Sequence, residues 1–224
     1  MQMRTTIRAF TMTLGLATST MALATGPTAR IAAERLDRGA VALPAQGGGM
    51  LITWRLLADD PATIRFRLLR DGKPIHDSRV GEATAFVDKK GSTTSRYAVQ
   101  PIGDKRAPSP AMMWDKSYLS IPLTPPADGV TPAGESFSYT ANDASAADLD
   151  GDGRYEIILK WDPTNSHDNS QGGYSGSVLL DAYRLDGTRL WRIDLGRNIR
   201  AGAHYTQFLA FDFDGDGRAE VAMK

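Results

Sequence analysis

The pattern Asp-x-Asp-Gly-Asp-Gly-Arg-x-Glu occurs twice, from Asp148 to Glu156 and from Asp212 to Glu220. The first copy spaces Asp148, Asp150 and Asp152 one residue apart, and the second does the same with Asp212, Asp214 and Asp216. The intervening glycines let the backbone fold tightly, so that three carboxylates converge. Like charges that close repel unless a cation sits among them. The carbonyl of Arg154 or Arg218 and the carboxylate of Glu156 or Glu220 complete an oxygen shell suited to a hard cation, calcium first. A solvated acidic turn is the plainer alternative, but two copies at matched strand starts argue against it. An EF-hand loop opens in the same way, yet it needs a twelfth-position Glu and a helix on each side. Here that position is Leu159 or Met223, and the flanks Ile157-Ile158-Leu159 and Val221-Ala222-Met223 are strand-like. The pattern therefore predicts calcium loops that feed strands and clip a turn together.

Between the copies, Ser177 to Leu195 reads as two strands joined across Asp186-Gly187. A repeat of short strands, none able to bury its own face, is the mark of a propeller or a solenoid. Lys224 corresponds to Lys160, whose strand is expected to continue into Trp161-Asp162-Pro163. The sequence thus reads as a fragment holding one propeller blade and the start of a second, over residues 135–224.

Upstream, residues 31–111 hold short runs with period-two alternation, split by turn residues. Met50, Ile52, Trp54 and Leu56 are expected on one strand face, and Ile64, Phe66 and Leu68 on the next. That second strand ends at Arg70-Asp71-Gly72-Lys73, an Asp-Gly hairpin signal. Phe86-Val87-Asp88 and Tyr97-Ala98-Val99 follow. The spacing predicts a small β-sandwich with Trp54 and Tyr97 in its core, in the manner of a fibronectin type III domain. Residues 112–134 are rich in Pro and read as an extended connector, since Pro cannot donate to a central ladder. Within it, Tyr118-Leu119-Ser120-Ile121-Pro122-Leu123 is expected to pack as an edge strand. The whole chain is accordingly all-β.

Composition narrows the function. Lys+Arg and Asp+Glu both number 26, so the formal charge is zero and no polybasic patch points to nucleic acid or a membrane surface. There is no Cys, which removes disulfides and thiolate metal sites, and only three His, so oxygen ligands dominate. Residues 1–24 read as an export signal: Arg4 and Arg8, then an apolar run to Leu23, then Ala22-Leu23-Ala24 as a cleavage site. A secreted or periplasmic monomer is expected, where calcium is plentiful enough to fill sites of about 10⁻⁴–10⁻³ M.

Two polar stretches carry further candidates. Lys160 to Gly173 is rich in Asp, Asn, Ser and His and reads as a long loop, not a core strand. Loops on one propeller face commonly build its binding site, and Asn142-Asp143 is a candidate neighbour. Arg197 to Gln207 supplies cations, His204 and amides that suit an acidic sugar.

Taken together, Ala141 to Ser145, the Asp148 loop, Ile158 to Pro163, Leu190 to Gln207 and Asp212 to Gly217 resemble polysaccharide lyase family 11, the rhamnogalacturonan lyases. Glu34 to Gly39 and Tyr118 to Leu123 add to the likeness. The resemblance covers nearly all of the chain after the export signal, and Leu190 to Gln207 is its most specific part. It implies an eight-bladed calcium-binding propeller that cleaves rhamnogalacturonan I of plant pectin by β-elimination. In that reaction a base removes the C5 proton of galacturonate, and calcium or Arg offsets the C6 carboxylate. The resemblance places Asn142 and Asp162 near the substrate or its calcium. It leaves the base unassigned, with His204 and Lys160 as candidates, and it implies that the fragment alone is inactive. Two other readings stay open here. One is a non-catalytic calcium-propeller binding or adhesion module. The other is a glycoside hydrolase using a pair such as Asp162 and Asp168.

Overall fold

The computed structural model describes residues 35–168, 170–202 and 205–224. The expected export signal and His204 lie outside the described residues. Every regular element among the described residues is a strand.

The first eight strands are β1 Val41–Pro44, β2 Met50–Thr53, β3 Phe66–Arg70, β4 Lys73–Asp77, β5 Ala85–Asp88, β6 Tyr97–Pro101, β7 Ser109–Pro110 and β8 Met112–Met113. They form two four-stranded sheets, ordered β5-β2-β1-β8 and β4-β3-β6-β7. The alternation seen in sequence puts Ala42, Met50, Ile52 and Trp54 from one sheet against Phe66, Leu68, Tyr97 and Val99 from the other. Burying a side chain of this size contributes about 1.5–3 kcal/mol. Trp54 meets Phe66 edge to face at 5.6 Å, which adds orientation to burial. Asp71 and Gly72 join β3 to β4 with φ of 51° and 75°, the doubly left-handed turn that matches strand twist. Tyr97 donates to Asp88 at 3.0 Å, while Arg70 holds the same carboxylate at 2.6 Å. Burial, then the Asp88 charge, push the Tyr97 hydroxyl up to about 12.

Two expectations fail in this half. Leu56 is 59% exposed, because β2 ends at Thr53 and the alternation does not carry past Trp54. Tyr118 to Leu123 forms no strand. Pro122 lacks a ladder donor, and the connector is tied by side chains instead: Arg192 donates to the Thr124 carbonyl at 2.8 Å, and the Tyr183 hydroxyl accepts from Thr124 N–H at 3.3 Å.

The second half opens with a short hairpin, β9 Gly129–Val130 and β10 Ser136–Phe137. Then come β11 Tyr139–Ala147, β12 Glu156–Pro163, β13 Leu179–Tyr183 and β14 Arg189–Asp194, antiparallel and in sequential order across one sheet. The β13–β14 turn spans Asp186-Gly187, where the sequence placed it. A final hairpin pairs β15 Phe208–Phe211 with β16 Glu220–Met223. The two central strands, β12 and β13, are buried on both faces. Leu159, Trp161, Leu179 and Tyr183 pack on one side, and Ile158, Val178 and Leu180 pack on the other against Phe208, Ala210, Val221 and Met223.

This burial decides between the two sequence expectations for Lys160 to Pro163: the strand continues into Trp161-Asp162-Pro163, as the repeat implied, and the reading of these residues as loop is corrected. The four residues complete the core strand β12, and Lys160 and Trp161 are both buried. Their polar atoms are met by partners remote in sequence. Trp161 Nε1 donates to the fully buried Asp181 at 2.7 Å, joined by Tyr183 at 2.6 Å and by Arg192 at 2.6 and 2.7 Å. Burial alone would raise the Asp181 carboxyl; the three donors outweigh it and hold it below the usual carboxylate range.

Candidate functional site

Each acidic loop joins an outgoing strand to the next one through the same set of hydrogen bonds. Asp148 accepts from the Gly151 and Gly153 N–H groups at 2.7 and 2.8 Å. Asp212 accepts from Gly215 and Gly217 at 2.7 and 3.0 Å. The glutamate at the strand start reaches back to the residue after the first Asp, Glu156 to Leu149 N–H at 2.9 Å and Glu220 to Phe213 N–H at 2.8 Å. Asp150 and Asp214 each take the N–H of the residue two further on.

The result is two compact groups of oxygen donors. Asp148, Asp150 and Glu156 offer carboxylate oxygens that all lie within 4.8 Å of one another, as do Asp212, Asp214 and Glu220. Asp152 and Asp216 stand outside these groups. Their carboxylates accept from Arg154 and Arg218 N–H, both at 2.8 Å, and so fix the two residues whose carbonyls were the expected main-chain ligands. An all-oxygen donor set of this density fits a hard divalent cation. Burial pushes the Glu156 carboxyl up, the Leu149 N–H opposes it, and the Asp150, Asp152 and Asp148 charges push with burial. Such mutual repulsion is what a cation would relieve.

One residue at the first group was not visible in sequence. Arg184, from the β13–β14 turn, donates to Asp150 at 2.6 Å and holds that carboxyl below the usual range. No sequence spacing signals it, because sheet register alone brings the turn back over the loop.

A second polar site lies at the other end of β11 and β12. Asn142 and Asp143 form a β-bulge, since Ala141 pairs with Trp161 and Ala144 with Leu159, leaving two residues opposite Lys160. Lys160 Nζ donates to Asp143 at 2.7 Å. Asp143 N–H donates to Asn142 Oδ1 at 2.9 Å, and Asn142 is exposed. Lys160 and Asp162 share a strand face by alternation, and Asp162 accepts from Ser166 at 2.7 Å. By register Asn142 lies on β11 opposite Lys160, and Asp162 lies two residues further along β12 opposite Thr140, so both stand on one stretch of the β11–β12 pair, the ledge. The loop beyond it is ordered by its own bonds: His167 Nδ1 lies 2.9 Å from the Asn165 carbonyl, and Arg200 donates to the Gln171 and Gly173 carbonyls at 2.6 and 2.8 Å. The Arg200 cation expected to meet an acidic sugar is therefore engaged with backbone.

Comparison with known proteins gives the geometry a context. Residues 118–224 match the rhamnogalacturonan lyase family 11 C-terminal domain, and residues 31–114 match the rhamnogalacturonan I lyases beta-sheet domain. The chain is 55% identical over 194 residues to the rhamnogalacturonan endolyase YesW of Bacillus subtilis (strain 168), covering 85% of this chain and 31% of that protein. It is 52% identical over 194 residues to the rhamnogalacturonan exolyase YesX of the same organism, covering 85% and 32%. The solved structure of the Bacillus licheniformis rhamnogalacturonan lyase PL11 superposes with a TM-score of 0.79 at 54% identity, covering 85% of this chain and 33% of that one. The chain spans about a third of the length of these relatives.

Proposed function

The chain belongs to rhamnogalacturonan lyase family 11, and from that premise we propose that it is the amino-terminal part of a secreted lyase that cleaves rhamnogalacturonan I by β-elimination. The observation that carries the reading is a chain 55% identical to a rhamnogalacturonan endolyase that holds two hard-cation donor groups and, at the other end of β11 and β12, the polar site of Asn142 and Asp162. In this reading the first half is a fibronectin III-like sandwich. The consecutive antiparallel sheet β11–β14 is a first propeller blade, and β15–β16 opens the second. What supports the propeller is the repeated loop, together with central strands β12 and β13 that carry apolar residues on both faces.

The chain's own residues hold and orient the sugar. The Asn142 amino group donates to it, and Asp162, steadied by Ser166, accepts from its hydroxyls. Calcium bound at the site would supply the positive charge that offsets the galacturonate carboxylate and makes the C5 proton easier to remove. The two acidic loops act as clips, fixing where β12 and β16 begin.

The test is the product. A lyase leaves a C4–C5 alkene, which absorbs in the ultraviolet. The expected result is alkene from rhamnogalacturonan I with a polypeptide of the relatives' length, and none from the 224-residue chain alone. Saccharide binding with no alkene from either polypeptide would point instead to a binding module, and reducing ends without alkene would point to a hydrolase.

A further inference from the structure

Lys160 is 4% exposed, a rare place for an ammonium group unless it is paired. Among the described residues the carboxylate that meets it is Asp143, at 2.7 Å. The pair is lopsided: the Lys160 side chain is 5% exposed and that of Asp143 is 65% exposed. The cation sits inside the sheet and its anion faces solvent.

The bulge produces this arrangement. With Asn142 and Asp143 both opposite Lys160, the extra residue turns the Asp143 carboxylate back over the lysine. The same turn lets Asp143 N–H hold Asn142 Oδ1. Two residues along β12, Asp162 adds a second carboxylate to the ledge. A ledge with two uncompensated anions would repel a polyuronate. At 2.7 Å a lysine cancels most of one of those charges.

We propose that Lys160 is a positioning residue for the acidic saccharide, which acts by neutralising Asp143 across the bulge so that Asn142 and Asp162 meet a uronate without repulsion. The proposal rests on the lyase reading above for its substrate class. It also gives Lys160 a role other than the base: its ammonium is committed to Asp143 and lies beneath the surface.

The test is steady-state kinetics on rhamnogalacturonan I with a polypeptide of the relatives' length, calcium present, at low and high salt. Lys160→Met leaves Asp143 uncompensated, so KM rises at least tenfold while kcat stays within about threefold. Salt shrinks that penalty, because screening acts on the exposed Asp143 charge. Adding Asp143→Asn to Lys160→Met returns KM to within about threefold of the parent. A purely structural lysine would behave otherwise: kcat and thermal stability would fall together, and Asp143→Asn would restore neither. Should Lys160→Met fail to fold, the double variant Lys160→Met with Asp143→Asn decides, since it leaves neither charge unpaired. KM at or below the parent supports the proposal, and a rise of fivefold or more overturns it. An enzyme that makes alkene normally but ignores both substitutions defeats this proposal alone; an enzyme that makes none defeats the lyase reading.

Discussion

The two acidic loops share a backbone and differ in what surrounds it. Asp148 and Asp212 are both buried and accept the same pair of glycine N–H groups. Around the first loop, Glu156 is buried, Arg184 bonds Asp150, Asp37 N–H donates to the Gly153 carbonyl at 2.8 Å, and Ala219 N–H donates to the Asp148 carbonyl at 2.7 Å. Around the second, Asp214 and Glu220 are exposed. Loop geometry is thus local and written in nine residues, whereas each loop's electrostatics come from elements far away in sequence. The two loops offer the same ligands in unlike settings.

The largest effect should come from what they share. Asp148→Ala and Asp212→Ala each strand two N–H groups, at a cost of about 2–4 kcal/mol for the pair. Denaturant unfolding in calcium-free buffer should give similar losses for both. A gap wider than about 1 kcal/mol would show that surroundings, not the loop, set that cost. Next come the glutamates, which should separate the loops. Glu156→Ala removes a buried acceptor from Leu149 N–H and should cost about 1–3 kcal/mol, against less than about 0.5 kcal/mol for the exposed Glu220→Ala.

A smaller effect isolates Arg184. Its guanidinium is half exposed and places a positive charge beside the first group only. Arg184→Ala should tighten calcium at that group about two- to fivefold and leave the second unchanged, read as a split in a two-site calorimetric titration. Weaker first-site binding would mean that Arg184 serves chiefly to orient Asp150.

The smallest effect is in pH. In the metal-free protein Glu156 is held above its ordinary 4.5, so it binds its proton more tightly folded than unfolded. Its contribution is therefore fully present below 4.5 and is lost as pH rises through the raised value. Asp150, held below its ordinary 3.8, runs the other way and loses its contribution as pH falls. Calcium should abolish the Glu156 slope, which thermal melts at stepped pH with and without the ion can compare.

The pattern of what the sequence disclosed follows the same division. Asp71-Gly72, the alternation through Phe66 and Leu68, and the meeting of Asp148 and Asp150 with Glu156 were legible because each depends on neighbours within a few residues, whereas Asp152, expected to converge with them, instead caps Arg154 N–H. The family likeness was legible for another reason: Leu190 to Gln207 is distinctive as a string. Lys160 to Pro163 drew two readings: the repeat extended the strand through Trp161-Asp162-Pro163, as observed, whereas the polar composition assigned the same residues to a loop because they looked solvated. Only the sheet shows Trp161 bonded to Asp181 and Lys160 to Asp143, 20 and 17 residues away. One signal was present and passed over, a lone Asp181 inside the apolar run Val178-Leu179-Leu180-Asp181-Ala182-Tyr183. A carboxylate there has to be buried and paired. Tyr118 to Leu123 failed in the opposite sense, as its alternation suggested a strand but no ladder partner lay alongside.

Calcium titration of the chelator-treated chain by calorimetry tests the shared donor set most directly. Two binding events are expected from the described loops, with Asp148→Ala deleting one, Asp212→Ala the other, and the double substitution both. Absence of stoichiometric heat in the parent chain, or binding that persists in the double variant, would contradict the assignment of these carboxylates to a cation.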